Sequence, residues 1–228
     1  MSQAVYTKLP DRAFIRVSGT DRFDFLQGLI TQDIELLQSQ NLIYSCLLTP
    51  NGKFIFDFFV FQNGDQLVID CEGGDRANAL LKRLSMFKLR SDIVLQLQDN
   101  VDVFQAFNND TDSGLKDPRF DGDRAYSKPN SINEADLKTW DEFRIRHEIP
   151  DGSRDLIPEK SFVHESEIVT KTAISYDKGC YMGQELVSRM HHRGLVKKQL
   201  KCVDINNISE GAELRSQCGD VGLALIRL

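Results

Sequence analysis

Apolar and polar positions divide the chain into short elements. Ala13 to Val17 reads as a first strand, with Phe14 and Ile15 as apolar members. Ser18-Gly19-Thr20 then offers a turn and an N-cap, and Asp21 and Asp24 fall in a first helical turn, where carboxylates favour the dipole. Phe23, Leu26 and Ile30 follow at helical spacing with Leu29 beside them, so the pattern predicts a helix. Gly28 inside it costs about 1 kcal/mol relative to alanine and leaves room for a neighbouring strand.

Two strands, Leu42 to Leu48 and Lys53 to Phe61, are joined by Thr49-Pro50-Asn51-Gly52. Asn-Gly between apolar runs is a strong hairpin signal. The second strand places Asp57 among apolar residues, where a carboxylate is costly unless it faces water or a partner. Asn63-Gly64-Asp65 makes another turn into a strand from Gln66 to Cys71. Gly73-Gly74-Asp75 opens a helix with Ala77, Leu80, Leu81, Leu84 and Phe87 on one face; it lacks the Lys-Ser/Thr of a phosphate loop. Asp92 to Leu97 and Val101 to Phe107 alternate as a pair of strands, and Asn108 to Lys116 is a polar loop. Residues 117–130 are loop-rich. Asn133 caps a helix through about His147, with Leu137, Trp140 and Phe143 toward the core, and Pro150 stops it. Strands Lys201 to Ile205 and Val221 to Ile226 close the chain. This order predicts an α+β fold with largely antiparallel sheets.

Composition narrows the class. The chain has 228 residues, 41% hydrophobic and 27% charged, as in a soluble globular protein. Its 28 lysines and arginines against 34 acids leave a formal charge of −6, which argues against wholesale nucleic-acid or membrane-surface binding. The exception is the stretch from Arg189 to Lys201, which holds five basic residues, two histidines and no acid. It is either a solvated face or a receiver of anions such as an RNA backbone. The five cysteines, Cys46, Cys71, Cys180, Cys202 and Cys218, are scattered and odd in number, which speaks against a disulfide framework or a closed zinc site. The four histidines fit no recurring zinc spacing, so no metal ligands are assigned. The N-terminus has no signal-peptide core and the apolar runs are too short to span a bilayer, which implies a cytoplasmic protein or a processed mitochondrial-matrix one.

The densest cluster of special residues is 178–194, Lys-Gly-Cys-Tyr-Met-Gly-Gln-Glu-Leu-Val-Ser-Arg-Met-His-His-Arg-Gly. Glycines allow a sharp turn before a short helix from Gln184 to Met190. Cys180 lies just ahead of that helix, a place that favours a reactive thiolate. Glu185 and Arg189 meet on one helical face, and Arg193-Gly194 closes the segment. A Gly-rich loop before a helix can also be purely structural. The whole string, with the block Phe25 to Asp33 and the stretch Phe143 to Gly152, resembles the YgfZ family of folate-binding proteins. That family acts in iron–sulfur cluster assembly and tRNA modification and is related to the glycine-cleavage T-protein.

The resemblance implies a T-protein-type folate-binding domain over 1–198 and a short β segment at 199–228, a remnant of the family's C-terminal barrel. It implies tetrahydrofolate as cofactor and iron–sulfur assembly or client proteins as partners. By the T-protein pattern Asp57 faces the folate amine. The implied folate contacts are Asp57, Phe61, Arg146, Lys178, Gly179, Tyr181, Gly183, Gln184, Glu185, Arg189 and Arg193. Arg146 departs from the pattern, since a pterin-reading glutamate stands there in T-proteins and an arginine accepts no hydrogen bonds. The alternatives are a folate-dependent aminomethyl or one-carbon transferase, and an interaction module that works without folate.

Overall fold

The computed structural model describes residues 3–108 and 112–228. Residues 109–111 of the polar loop read from the sequence, and residues 1 and 2, lie outside the described residues.

The chain opens with β1 (Val5–Lys8), a strand the hydrophobic pattern did not signal, then β2 (Arg12–Ser18) and α1 (Arg22–Gln27). The hairpin follows as β3 (Ile43–Leu48) and β4 (Phe54–Asn63), with β5 (Gln66–Glu72) and α2 (Asp75–Lys88) after it. Together with β6 (Val94–Gln98) these strands make an antiparallel sheet in the order β3-β4-β5-β2-β6. Period-2 alternation gives the sheet two apolar faces. Ile15, Ile43, Phe58 and Ile69 pack with α1 and α2 on one face; Tyr44, Cys46, Phe59 and Phe61 belong to a second core on the other.

The second sheet is β10-β1-β7-β9-β8, built from β7 (Phe104–Phe107), β8 (Leu115–Lys116), β9 (Asp123–Ala125) and β10 (Asn133–Glu134). Its β1–β10 pair is parallel and its other pairs are antiparallel. Then come α3 (Leu137–Arg146), α4 (Gly152–Asp155), α5 (Glu167–Thr172) and α6 (Gln184–Arg193). The strands β11 (Lys198–Asp204), β12 (Glu213–Cys218) and β13 (Val221–Arg227) form an open three-stranded sheet, with β13 in the middle. No closed barrel is present among the described residues. Leu200, Leu223 and Leu225 of this sheet share the second core with β3, β4 and α6, so it packs as part of the same body.

Five expectations need correction. The first helix stops at Gln27, and Gly28 is its C-cap with φ −78°; a Cβ there would meet only the Asp24 carbonyl at 3.9 Å, so no strand uses the gap. Its N-cap is Asp21, and Thr20 instead donates to Asp92 at 2.9 Å. The strands near 94 and 104 do not pair: β6 lies on β2 and β7 on β1, because each alternation matches a different sheet. Asn133 pairs with Val5 in β10, and the cap of α3 is Asp136, which accepts from the Thr139 amide at 2.8 Å. Leu137, at the start of that helix, is exposed rather than in the core.

One buried carboxylate joins the two sheets. Asp70 of β5 is fully buried and accepts from Arg12 Nε at 2.9 Å and Nη2 at 2.7 Å. Its other oxygen accepts from Nε of Arg124, on β9 of the second sheet. Burial alone would raise the Asp70 pKa, but Arg12 and Arg124 outweigh it and hold the group below the usual carboxylate range. A depressed native pKa stabilises the fold above the unfolded value near pH 4, and that share is lost as pH falls through the native pKa. Removing one partner of a buried pair strands the others. Asp70→Ala is therefore expected to lower stability by about 3–5 kcal/mol in urea unfolding at pH 7. The difference from the wild type should shrink below about pH 4.

Candidate functional site

The second face of the central sheet does not close completely against α3 and α4. A cavity of about 140 Å³ remains, walled by Arg12, Asp57, Phe59, Glu72, Arg119, Arg124, Trp140, Arg144, Asp151, Gly152 and Arg154 among others. Strand alternation points Asp57 to this side, in phase with Phe59 and Phe61. Tyr44 Oη donates to Asp57 Oδ2 at 2.7 Å. Burial, and then the neighbouring Asp57, hold the Tyr44 pKa well above its ordinary value, so the phenol keeps its proton. Burial also raises the Asp57 pKa; the Tyr44 bond and Arg12 oppose it, and Glu72 adds to it. The result is a carboxyl group on a cavity wall that holds its proton more firmly than an exposed aspartate does.

Gly152 sets the approach to that wall. Its φ is +45°, and a Cβ there would sit 3.1 Å from Asp57 Oδ1 and 3.4 Å from Glu72 Oε2. A side chain would both strain the backbone and crowd the two carboxylates. Glu72 in turn accepts from Ser153 Oγ at 2.8 and 3.0 Å. The opposite walls are basic. Arg119 makes a two-point bond to Asp117, at 3.0 and 2.8 Å, and lies with Arg124 over the Phe59 ring. Arg144 and Arg154 both hold Asp141.

Of the folate contacts that the resemblance implies, Asp57 reaches this cavity and the others do not line it. Phe61 is buried against Phe14 and stacks on Tyr126 at 4.3 Å. Arg146 points outward from α3 and pairs with Glu142 at 2.8 Å. Residues missed include Arg12, Glu72, Arg119 and Arg124, which sit in a strand edge, a strand end and a loop-rich stretch with no periodic signal. Arg144 did leave one. It follows Leu137 and Trp140 at helical spacing, so a charge stands on a face that otherwise carries large apolar residues.

The signature segment forms a second, separate place. Gly183 has φ +84°, and a Cβ there would lie 2.6 Å from the Thr49 carbonyl and 3.1 Å from Gly52 Cα. The β3–β4 turn therefore docks directly on the signature backbone. Lys178 is buried, and its Nζ donates to the carbonyls of Gln27, Ile30 and Gln32 at 2.8, 2.9 and 2.9 Å. Burial draws its pKa down to about 8, with Asp33 opposing. Tyr181 is buried in the second core. Between these two anchors Gly179 and Cys180 are exposed. Gln184 begins α6, and Glu185 and Arg189 pair at 2.6 Å on its outer face.

Acids from elsewhere neutralise much of the basic segment: Lys198 pairs with Glu213 at 2.6 Å and Lys201 with Glu148 at 2.8 Å. Arg193 and Lys197 have no ion pair among the described residues. No group of three or more potential metal ligands occurs among the described residues, and no helix of the described residues is long and apolar enough to cross a membrane.

Comparison with known proteins adds to this geometry. No family model matches the chain. It is 30% identical over 236 residues to the mitochondrial iron-sulfur cluster assembly factor IBA57 homolog of Neurospora crassa, covering 88% of this chain and 54% of that protein. For the Coccidioides immitis homolog the figures are 29% over 258 residues, 95% and 60%. For the mouse mitochondrial factor IBA57 they are 26% over 277 residues, 96% and 76%. The chain thus spans little more than half the length of these two fungal relatives. Among solved structures it is similar to the glycine cleavage system aminomethyltransferase T from Bartonella henselae, with TM-score 0.67 and 12% identity over 99% of this chain and 79% of that one. The fold is the α+β T-protein type.

The two anchors of the signature differ in what they support. Lys178→Met leaves three buried carbonyls without a donor and is expected to cost about 3 kcal/mol or more in urea unfolding. Arg189→Ala removes an exposed pair and should change stability by less than about 0.5 kcal/mol.

Proposed function

We propose that this chain is an iron–sulfur cluster assembly factor of the IBA57 type, and that its Asp57 cavity binds a tetrahydrofolate. The likeness to such factors runs along 88–96% of the chain, through both the cavity and the signature. The observation that carries the reading is the division within the signature: Lys178 and Tyr181 are buried anchors, and Cys180 between them is exposed. The fold holds a thiol at the surface by two buried attachments. One cysteine supplies one of the roughly four ligands that a cluster needs, so the cluster is cargo shared with a partner protein. The relatives are named as mitochondrial, and the place of work is the mitochondrion, in its matrix, or the cytoplasm of a cell without mitochondria.

Folate fits the residues present. The cavity offers a carboxyl acceptor at Asp57, a second at Glu72, and the aromatic Phe59 and Trp140. When bound, tetrahydrofolate would supply a basic amine able to carry a one-carbon unit. Asp57, its pKa raised by burial and its carboxyl fixed by Tyr44, can take or return a proton at such an amine. Arg146 lies outside the cavity, so it neither contacts nor blocks the site.

Two variants test the reading side by side. Cys180→Ala is expected to lower cluster-dependent enzyme activities in cells while the purified protein keeps its unfolding midpoint and its tetrahydrofolate affinity. Asp57→Ala is expected to weaken tetrahydrofolate binding at least about tenfold in calorimetric titration under reducing conditions. Cells carrying Cys180→Ala that match wild type would remove the cluster role from the thiol. A wild-type protein that binds no tetrahydrofolate would leave a folate-independent partner module.

A further inference from the structure

The C-terminal end of α2 breaks two local rules at once. Its C-cap is Leu89, with φ +39° and ψ −104°, at a position that glycine or asparagine usually fills. The same leucine is 87% exposed, and Met86, about one turn earlier, is 60% exposed. With that exposure Leu89 has little contact within the chain to offset either cost. Sites where local rules fail tend to be functional ones.

The surroundings of this apolar tip are basic. From Arg76 to Ser91 the chain holds Arg76, Lys82, Arg83, Lys88 and Arg90 and no acid, although its whole charge is −6. Arg76 pairs with Glu72, and Arg83 lies over the Phe87 ring at 5.8 Å. Lys82, Lys88 and Arg90 have no ion pair among the described residues. The Arg189–Lys201 stretch differs, because acids from other elements hold two of its lysines. One cation in the last turn answers the helix dipole; three free ones around an exposed leucine exceed that need. Ala77, Leu80 and Leu84 are the buried side of α2, so Lys82 and Met86 share its outward side. Asp21 and Asp92 border the tip toward α1: Asp21 lines a shallow depression with Phe87, Leu89 and Arg90, and its Oδ2 accepts from the Asp92 amide at 2.7 Å. They leave the outer face of α2 as the cationic one.

We propose that the C-terminal end of α2 is a docking surface for an anionic lipid bilayer, with Met86 and Leu89 entering the interface and Lys82, Lys88 and Arg90 meeting the headgroups. The charges are complementary, and each cation near such a surface raises partitioning roughly fivefold. An apolar tip that stands out from the surface adds the area that strengthens interfacial binding. The three cations are held by no carboxylate, which suits a diffuse anionic surface better than a single anion gripped by a fixed fork. Nucleic acid is the poorer fit, since single strands stack on aromatic rings and Phe87, the ring at hand, is half-buried beside Arg83. The contact is superficial, as no helix of the described residues is long and apolar enough to cross a membrane. It shares no residue with the Asp57 cavity and goes beyond the cluster and folate readings without depending on either.

Cosedimentation of the whole chain with vesicles tests the proposal. Binding is expected with phosphatidylcholine vesicles that contain phosphatidylglycerol, and not with phosphatidylcholine alone. It should fall at least about tenfold when salt is raised to about 0.5 M. Leu89→Gly suits the backbone and deletes the apolar tip. That variant should keep or raise the unfolding midpoint while weakening vesicle binding at least about fivefold. Lys82→Glu combined with Arg90→Glu should abolish binding. A wild-type chain that stays in the supernatant with the anionic vesicles at low salt overturns the proposal. So does binding that both variants leave unchanged, which would move the contact to the Arg189–Lys201 segment. Salt-sensitive retention on RNA without vesicle binding also overturns it, in favour of a nucleic-acid surface.

Discussion

Asp70 is the constraint on which the rest of the arrangement depends. It is a fully buried anion on the middle strand of the central sheet, and such a group is tolerated only with compensating charge. Arg12 supplies that charge from the neighbouring strand and Arg124 from the second sheet. The same contact that neutralises Asp70 therefore fixes the distance and angle between two sheets. It also fixes Arg124 over Phe59, on the wall of the cavity. Replacing this pair by apolar residues could preserve a fold of similar stability, since buried ion pairs are seldom stabilising in net terms. It could not preserve a guanidinium aimed by two partners. The polar interior of this molecule is better understood as positioning than as stabilisation.

The β3–β4 hairpin couples the cavity to the signature loop. Its turn meets Gly183 backbone to backbone, and Asp57 stands five residues beyond Gly52 on the same strand. At about 3.3 Å per residue that is roughly 16 Å. The cavity and the signature are thus set apart along one hairpin. Lys178 is held by the carbonyls of Gln27, Ile30 and Gln32 and Tyr181 by the second core, and Cys180 is left outside. A ligand bound at Asp57 and a partner bound at Cys180 would each act on the ends of the same strand.

Much of this was legible in the sequence, and the failures have physical causes. The hairpin, its Asn-Gly turn, α2 and α6 follow from alternation and helical spacing, which are local properties. The capping of α3 was displaced because Asn133 found a strand partner 128 residues away, at Val5. The basic stretch from Arg189 looked unopposed only because its acids, Glu148 and Glu213, come from other elements. The cavity arginines were invisible for the same reason: a guanidinium is given its role by the carboxylate behind it, and Asp70 lies 54 residues from Arg124. The signature is legible as a motif, but which of its parts are buried is not. Its lysine and tyrosine are buried anchors, and burial is a property that no short motif displays.

The most direct measurement is a crystal structure of the whole chain with tetrahydrofolate. Density for the ring system is expected against Asp57 and Glu72, with Cys180 remote and still exposed. Density against the signature loop instead, with the Asp57 cavity empty, would contradict the separation of the two sites and return Lys178 and Tyr181 to the role of ligand contacts.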